Sequence, residues 1–117
     1  MKIIAVACDK SGVAAVLRAR EGLLRDGVTV DLIPIPCLGT IRESQLLEFL
    51  EEEIDALLLA GCPLDSCHNL EGSRYARDRA HRVNALLREA EVSKRVLTAF
   101  VTAEKTGEIR RIIKDFT

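Results

Sequence analysis

Residues 56–68 run Ala56-Leu57-Leu58-Leu59-Ala60-Gly61-Cys62-Pro63-Leu64-Asp65-Ser66-Cys67-His68. The first five are apolar without alternation, which predicts a strand covered on both faces, as in a parallel sheet. Gly61 and Pro63 stop the run and predict a loop. That loop holds two of the chain's four cysteines, Cys62 and Cys67. The other two, Cys8 and Cys37, also follow apolar runs that read as strands.

Working outward, the pattern alternates. Lys2–Ala7 is an apolar first strand ended by Cys8, with Asp9 or Ser11 as the cap of the next helix. Val13, Val16, Leu17, Leu23 and Leu24 recur at roughly helical spacing before Gly27, a residue suited to closing a helix. Val28–Ile35 is a second strand, and Pro34 and Pro36 restrict its end to the side of a sheet. Thr40 and Glu43 form a capping-box pattern for a helix to about Glu53, with Ile41, Leu46, Leu47, Phe49 and Leu50 on its apolar side. After the third strand, Ser73 is the expected cap of a long helix to about Glu91. Tyr75, Ala76, Arg79, Val83, Leu86 and Leu87 suggest its inner face. Arg95–Val101 is a fourth strand, and Thr102 or Thr106 begins a last helix with Ile109, Ile112, Ile113 and Phe116 inward.

This βαβαβαβα order predicts an α/β fold: a flavodoxin-like four-stranded parallel sheet, order 2-1-3-4, with helices on both faces. Residues 1–117 read as one domain. In such sheets ligands bind outside the carboxyl ends of the strands, where the order reverses. Strands one and three flank that point, so all four cysteines are expected on one edge.

The chain is 48% hydrophobic and 30% charged, which suits a globular core, and only 3% aromatic, so aliphatic residues must build it. With 17 basic and 18 acidic side chains the net charge is −1, and nothing in that balance points to nucleic acid. No apolar run approaches the roughly 20 residues of a membrane span, so no membrane insertion is expected. A short apolar N-terminus that stops at Cys8-Asp9-Lys10 fits a strand better than a signal peptide, and a cytoplasmic location follows. Thiols there stay reduced, so four cysteines point to metal binding or redox chemistry rather than structural disulfides.

Cys8, Cys37, Cys62 and Cys67 could hold a 2Fe-2S cluster or a zinc ion. Structural zinc sites favour tight cysteine pairs on short knuckles. Here one pair is separated by four residues and two ligands come singly from other loops, which favours the cluster. A sheet with its own core also has no need of zinc to fold. The alternative is a flavodoxin-like binding or regulatory module with a structural zinc or a thiol switch. His68 reads equally well as a donor to a sulfur or as an exposed loop residue. Arg74, Arg77, Arg79, Arg82 and Arg88 could face an acidic partner, but such a row is more often a solvated helix surface. Asp9-Lys10-Ser11-Gly12 lacks the glycine fingerprint of a nucleotide loop.

Cys8 after the first strand, Cys37-Leu38-Gly39 after the second, and Gly61-Cys62-Pro63-Leu64-Asp65-Ser66-Cys67-His68 with Gly72 carry a resemblance. The chain resembles, over nearly its whole length, the delta subunit of methyl-viologen-reducing hydrogenase. That resemblance implies an iron-sulfur electron-transfer subunit with one 2Fe-2S cluster on Cys8, Cys37, Cys62 and Cys67, and no catalytic residue of its own. It implies two kinds of partner: a heterodisulfide-reductase-A-like flavoprotein, and a hydrogenase, formate dehydrogenase or other redox subunit. Three positions depart from the family pattern: Ser11 replaces a frequent second cysteine, Thr40 a frequent arginine, and Pro63 a histidine.

Overall fold

A computed structural model describes residues 1–63, 72–102, 104 and 106–117. Four strands, β1 (Lys2–Cys8), β2 (Thr29–Ile35), β3 (Ala56–Gly61) and β4 (Arg95–Phe100), alternate with four helices. These are α1 (Gly12–Arg25), α2 (Glu43–Leu50), α3 (Gly72–Glu89) and α4 (Thr106–Phe116). The strands form one parallel sheet in the order β2-β1-β3-β4, as the alternation predicted. β2 is an edge strand, where the prolines of its C-terminal end are tolerated.

The pleat sorts β1 between two apolar layers. Ile4, Val6 and Cys8 face a cluster with Leu57 and Leu59 of β3, Leu46 and Leu50 of α2, and Ala76, Ala80, Val83 and Leu87 of α3. Ile3, Ala5 and Ala7 face the other side, with Leu58 and Ala60 of β3, Ala15, Val16, Ala19 and Leu23 of α1, and Ile109 and Ile113 of α4. All six residues of β3 are buried, which explains why its sequence shows no alternation.

Helix ends explain several boundaries. Gly27 takes φ 83° after α1; its N–H donates to the Leu24 carbonyl (3.0 Å) and that of Val28 to the Leu23 carbonyl (2.9 Å). This is a Schellman closure, and glycine suits its left-handed position. α3 closes the same way at Glu91, φ 56°, with Val92 N–H to the Leu87 carbonyl at 2.9 Å.

Some expectations change. Thr40 does not start α2. Leu38–Thr40 forms a separate 3-10 turn, and the helix begins at Glu43, with the Gln45 side chain accepting from the Arg42 N–H at 2.8 Å. α2 ends at Leu50, not Glu53, because residues 51–55 turn into β3. On α1, Leu17 and Leu24 are exposed, since Ala15 and Ala19 hold the inward positions. On α3, Tyr75 and Leu86 are exposed, because the helix packs through a narrow stripe of Gly72, Ser73, Ala76, Ala80, Val83 and Leu87. No helix among the described residues is long and apolar enough to cross a membrane.

Candidate metal centre

The C-terminal edge of the sheet gathers Cys8, Cys37 and Cys62. Cys8 ends β1 opposite Ile35 of β2, and Cys62 directly follows β3. Their Sγ atoms are 3.8 Å apart, across 54 residues, and both side chains are buried. Cys37 lies two residues beyond β2 and is half-buried on the same edge. Cys8, Cys37 and Cys62 form no disulfide among the described residues. Cys67 and His68 lie outside the described residues. Among the described residues no three His, Cys, Asp or Glu side chains converge as a metal site, so the close geometry is that of the Cys8–Cys62 pair.

Backbone donors serve these sulfurs. The N–H of Gly12 donates to Cys8 Sγ (3.4 Å) and that of Gly39 to Cys37 Sγ (3.3 Å). The Ser11 hydroxyl lies 3.9 Å from Cys8 Sγ rather than capping α1. Burial pushes the Cys8 thiol up. The hydrogen bonds from the Gly12 and Ser11 backbones, the Ser11 hydroxyl and Cys62 outweigh it and hold the group below its ordinary value. A sulfur so surrounded is prepared to carry negative charge.

Glycines let the loops approach. A side chain at Gly12 would place its Cβ 2.0 Å from the carbonyl oxygen of Ala60, so α1 starts hard against the end of β3. A Cβ at Gly61 would lie 2.5 Å from Cδ1 of Leu38, and one at Gly39 would lie 2.9 Å from Cα of Gly72. The Cys37 loop is thereby wedged between the end of β3 and the first turn of α3.

α3 holds that arrangement from the side. Ser73, expected as a cap, lies inside the helix and donates its hydroxyl to the Cys62 carbonyl at 2.8 Å. Arg79 reaches across to the Cys37 loop, its Nη1 donating to the carbonyls of Gly39 (2.7 Å) and Ile41 (2.8 Å). Composition and periodicity gave no sign of either role. A legible signal did exist for the glycines: each of Cys8, Cys37 and Cys62 has one within four residues. The rest of the arginine row behaves as a solvated surface with local ion pairs, Arg77 with Asp78 at 3.4 Å and Arg82 with Glu43 of α2.

Two thiolates on one tetrahedral metal, each at about 2.3 Å, stand about 3.8 Å apart. The Cys8–Cys62 pair already has that spacing, and N–H groups aimed at sulfur suit ligands of an iron-sulfur cluster. These two sulfurs therefore fit a thiolate-held metal.

The family described as "Methyl-viologen-reducing hydrogenase, delta subunit" matches residues 3–117. The iron-sulfur subunit of the F420-non-reducing hydrogenase of Archaeoglobus profundus is 26% identical over 89 residues, covering 75% of this chain and 65% of that protein. A subunit of the Ferredoxin/F(420)H(2)-dependent CoB-CoM heterodisulfide reductase of Methanosarcina acetivorans is 24% identical over 115 residues, 97% of this chain. The corresponding subunit of the Ferredoxin:CoB-CoM heterodisulfide reductase of Methanosarcina mazei is 27% identical over 88 residues, 74% of this chain. The chain spans only 14% and 11% of those two longer relatives.

Proposed function

Because the chain belongs to the methyl-viologen-reducing hydrogenase delta subunit family, we propose that it is an electron-transfer subunit holding one 2Fe-2S cluster. The ligands in this reading are Cys8, Cys37, Cys62 and Cys67. The observation that carries it is the Cys8–Cys62 pair, 3.8 Å apart at the carboxyl edge of a parallel sheet. Such a spacing would also suit zinc. The relative named as an iron-sulfur subunit favours iron.

When bound, such a cluster accepts and donates single electrons. The chain's own residues then have clear tasks. Cys8 and Cys62 supply thiolates from a dry wall formed by Leu38, Ala76 and the carboxyl end of the sheet. Gly12 and Gly39 N–H groups stabilise negative charge on sulfur. Ser11, which replaces the family's frequent second cysteine, keeps a polar hydrogen beside Cys8.

The partners in this reading are a heterodisulfide-reductase-A-like flavoprotein and a hydrogenase, formate dehydrogenase or other redox subunit. Support comes from the two longer relatives, in which a matching segment forms part of a heterodisulfide reductase. Anaerobic purification followed by iron and acid-labile sulfide analysis, with electron paramagnetic resonance after reduction, tests the proposal. Two irons and two sulfides per chain are expected for a 2Fe-2S cluster. Intact protein with stoichiometric zinc and neither iron nor sulfide would overturn it.

A further inference from the structure

The geometry points to Arg79 as the positioning residue for Cys37, an assignment that rests on the reading of Cys37 as a cluster ligand. Cys8 and Cys62 are set by the ends of β1 and β3, inside the apolar layer. Cys37 has no such anchor. It stands two residues past an edge strand, half-buried, at the start of the Leu38–Thr40 turn.

Among the described residues, three contacts from outside hold that turn, and two come from α3. Leu38 is buried beneath Gly61. Gly39 packs against Gly72 with no room for a side chain, since a Cβ there would lie 2.9 Å from Gly72 Cα. Arg79 then closes the far side. A single nitrogen, Nη1, carries two hydrogens and gives one to Gly39 O and one to Ile41 O, 40 and 38 residues away in sequence. Those carbonyls bracket Thr40, so the bonds fix the path of the chain just after the Gly39 N–H that serves Cys37 Sγ. The guanidinium is itself steadied over the Tyr75 ring, 5.7 Å from its centroid.

Two consequences follow. Without Arg79 the Gly39 and Ile41 carbonyls lose charge-assisted partners, and the Cys37 turn is released while Cys8 and Cys62 stay in place. A fixed positive charge in the turn also favours the more negative, reduced state of a group held by Cys37, and so raises its potential. Sequence alone hides this role, since Arg79 is one of five arginines on the same helix.

The test compares Arg79→Met, Arg79→Gln and Arg79→Lys with Arg82→Met. The last breaks the ion pair between α3 and Glu43 without touching the Cys37 turn. In the metal-free chain, alkylation by iodoacetamide is followed at each cysteine by peptide mass spectrometry across a pH range, and the limiting rate of the thiolate is compared so that access is read apart from ionisation. Cys37 is expected to react at least about tenfold faster in Arg79→Met and Arg79→Gln, with Cys62 unchanged. Arg79→Lys, with its charge and donors on one nitrogen, falls between them and the unmodified chain. After reconstitution, the midpoint potential is expected to fall in Arg79→Met and to hold in Arg82→Met. If Arg79→Met loses its cooperative melt, Arg79→Gln decides. An unmodified Cys37 rate in the folded Arg79 variants, or equal acceleration by Arg82→Met, would overturn the assignment. Failure of the unmodified chain to take up iron would overturn the cluster reading and leave the alkylation result standing.

Discussion

The hydroxyl of Ser73, in the first turn of α3, donates to the carbonyl oxygen of Cys62 at 2.8 Å, across 11 residues. Both side chains are buried. The bond ties the end of β3 to the start of α3, and so fixes the two ends of the segment that carries Cys67. Ser73→Ala leaves the Cys62 carbonyl without this partner and is expected to cost about 1–3 kcal/mol. Urea unfolding of the metal-free chain measures it. A midpoint equal to the unmodified chain's would mean that the bond contributes nothing.

Gly12 and Gly107 make a matched pair. A Cβ at Gly12 would lie 2.0 Å from the Ala60 carbonyl oxygen, which belongs to the buried strand β3 and cannot move aside. A Cβ at Gly107 would meet nothing among the described residues beyond its own stretch of helix within 4 Å. Gly12→Ala should therefore destabilise by several kcal/mol, roughly 3 or more, as overpacking against fixed backbone does. Gly107→Ala, in α4, should stabilise by about 0.5–1 kcal/mol. Thermal melts followed by circular dichroism separate the two, and similar losses in both would refute the close approach.

Glu91 occupies the left-handed position that closes α3, where α1 uses Gly27. A non-glycine residue there carries a conformational cost of about 1–2 kcal/mol. Glu91→Gly should recover roughly 1 kcal/mol of it, less the added freedom of glycine in the unfolded chain. The melting temperature should rise by a few degrees, and a fall would argue against the left-handed closure.

Adjacent leucines on α1 should behave in opposite ways. Leu23 is 1% exposed and packs with Ala19 and Ile113, whereas Leu24 is 64% exposed. Leu23→Ala is expected to cost about 2–5 kcal/mol, and Leu24→Lys to stay within about 0.5 kcal/mol of the unmodified chain. Denaturant unfolding of the two variants reads the orientation of α1 directly.

The apolar layers on both faces of the sheet are built largely from aliphatic side chains of the chain itself. Chelation of bound metal should therefore leave far-ultraviolet circular dichroism and a cooperative transition in place. Cys62→Ser should likewise fold, while iron content falls to background. A variant that keeps its full iron and sulfide would remove Cys62 from the ligand set.

The sheet and its order were legible because they depend on local pattern. Unalternating runs at Ile3–Ala7 and Ala56–Ala60 require cover on both faces, and four strands separated by helices leave few parallel arrangements. The same reasoning put Cys8 and Cys62 on one edge, and their sulfurs do meet there. Finer assignments failed where small residues compete with large ones. Leu17, Leu24, Tyr75 and Leu86 look like core by hydropathy, yet the inner stripes of α1 and α3 are rich in alanine. Close packing against the buried central strands β1 and β3 selects small side chains, and hydropathy scales do not register closeness.

By itself, then, the sequence determined the alternation of strands and helices, the β2-β1-β3-β4 sheet and the edge on which Cys8, Cys37 and Cys62 emerge. Only the tertiary structure decided how that edge is held: Gly12 against Ala60, Gly39 against Gly72, Ser73 on Cys62 and Arg79 on the Cys37 turn. The physical reason is range. Strand and helix follow from periodicities of a few residues, whereas the ties between loops join groups 11 to 48 residues apart. Those groups become neighbours only once the sheet has formed, and which donor meets which carbonyl depends on angstrom-scale packing that no local pattern encodes.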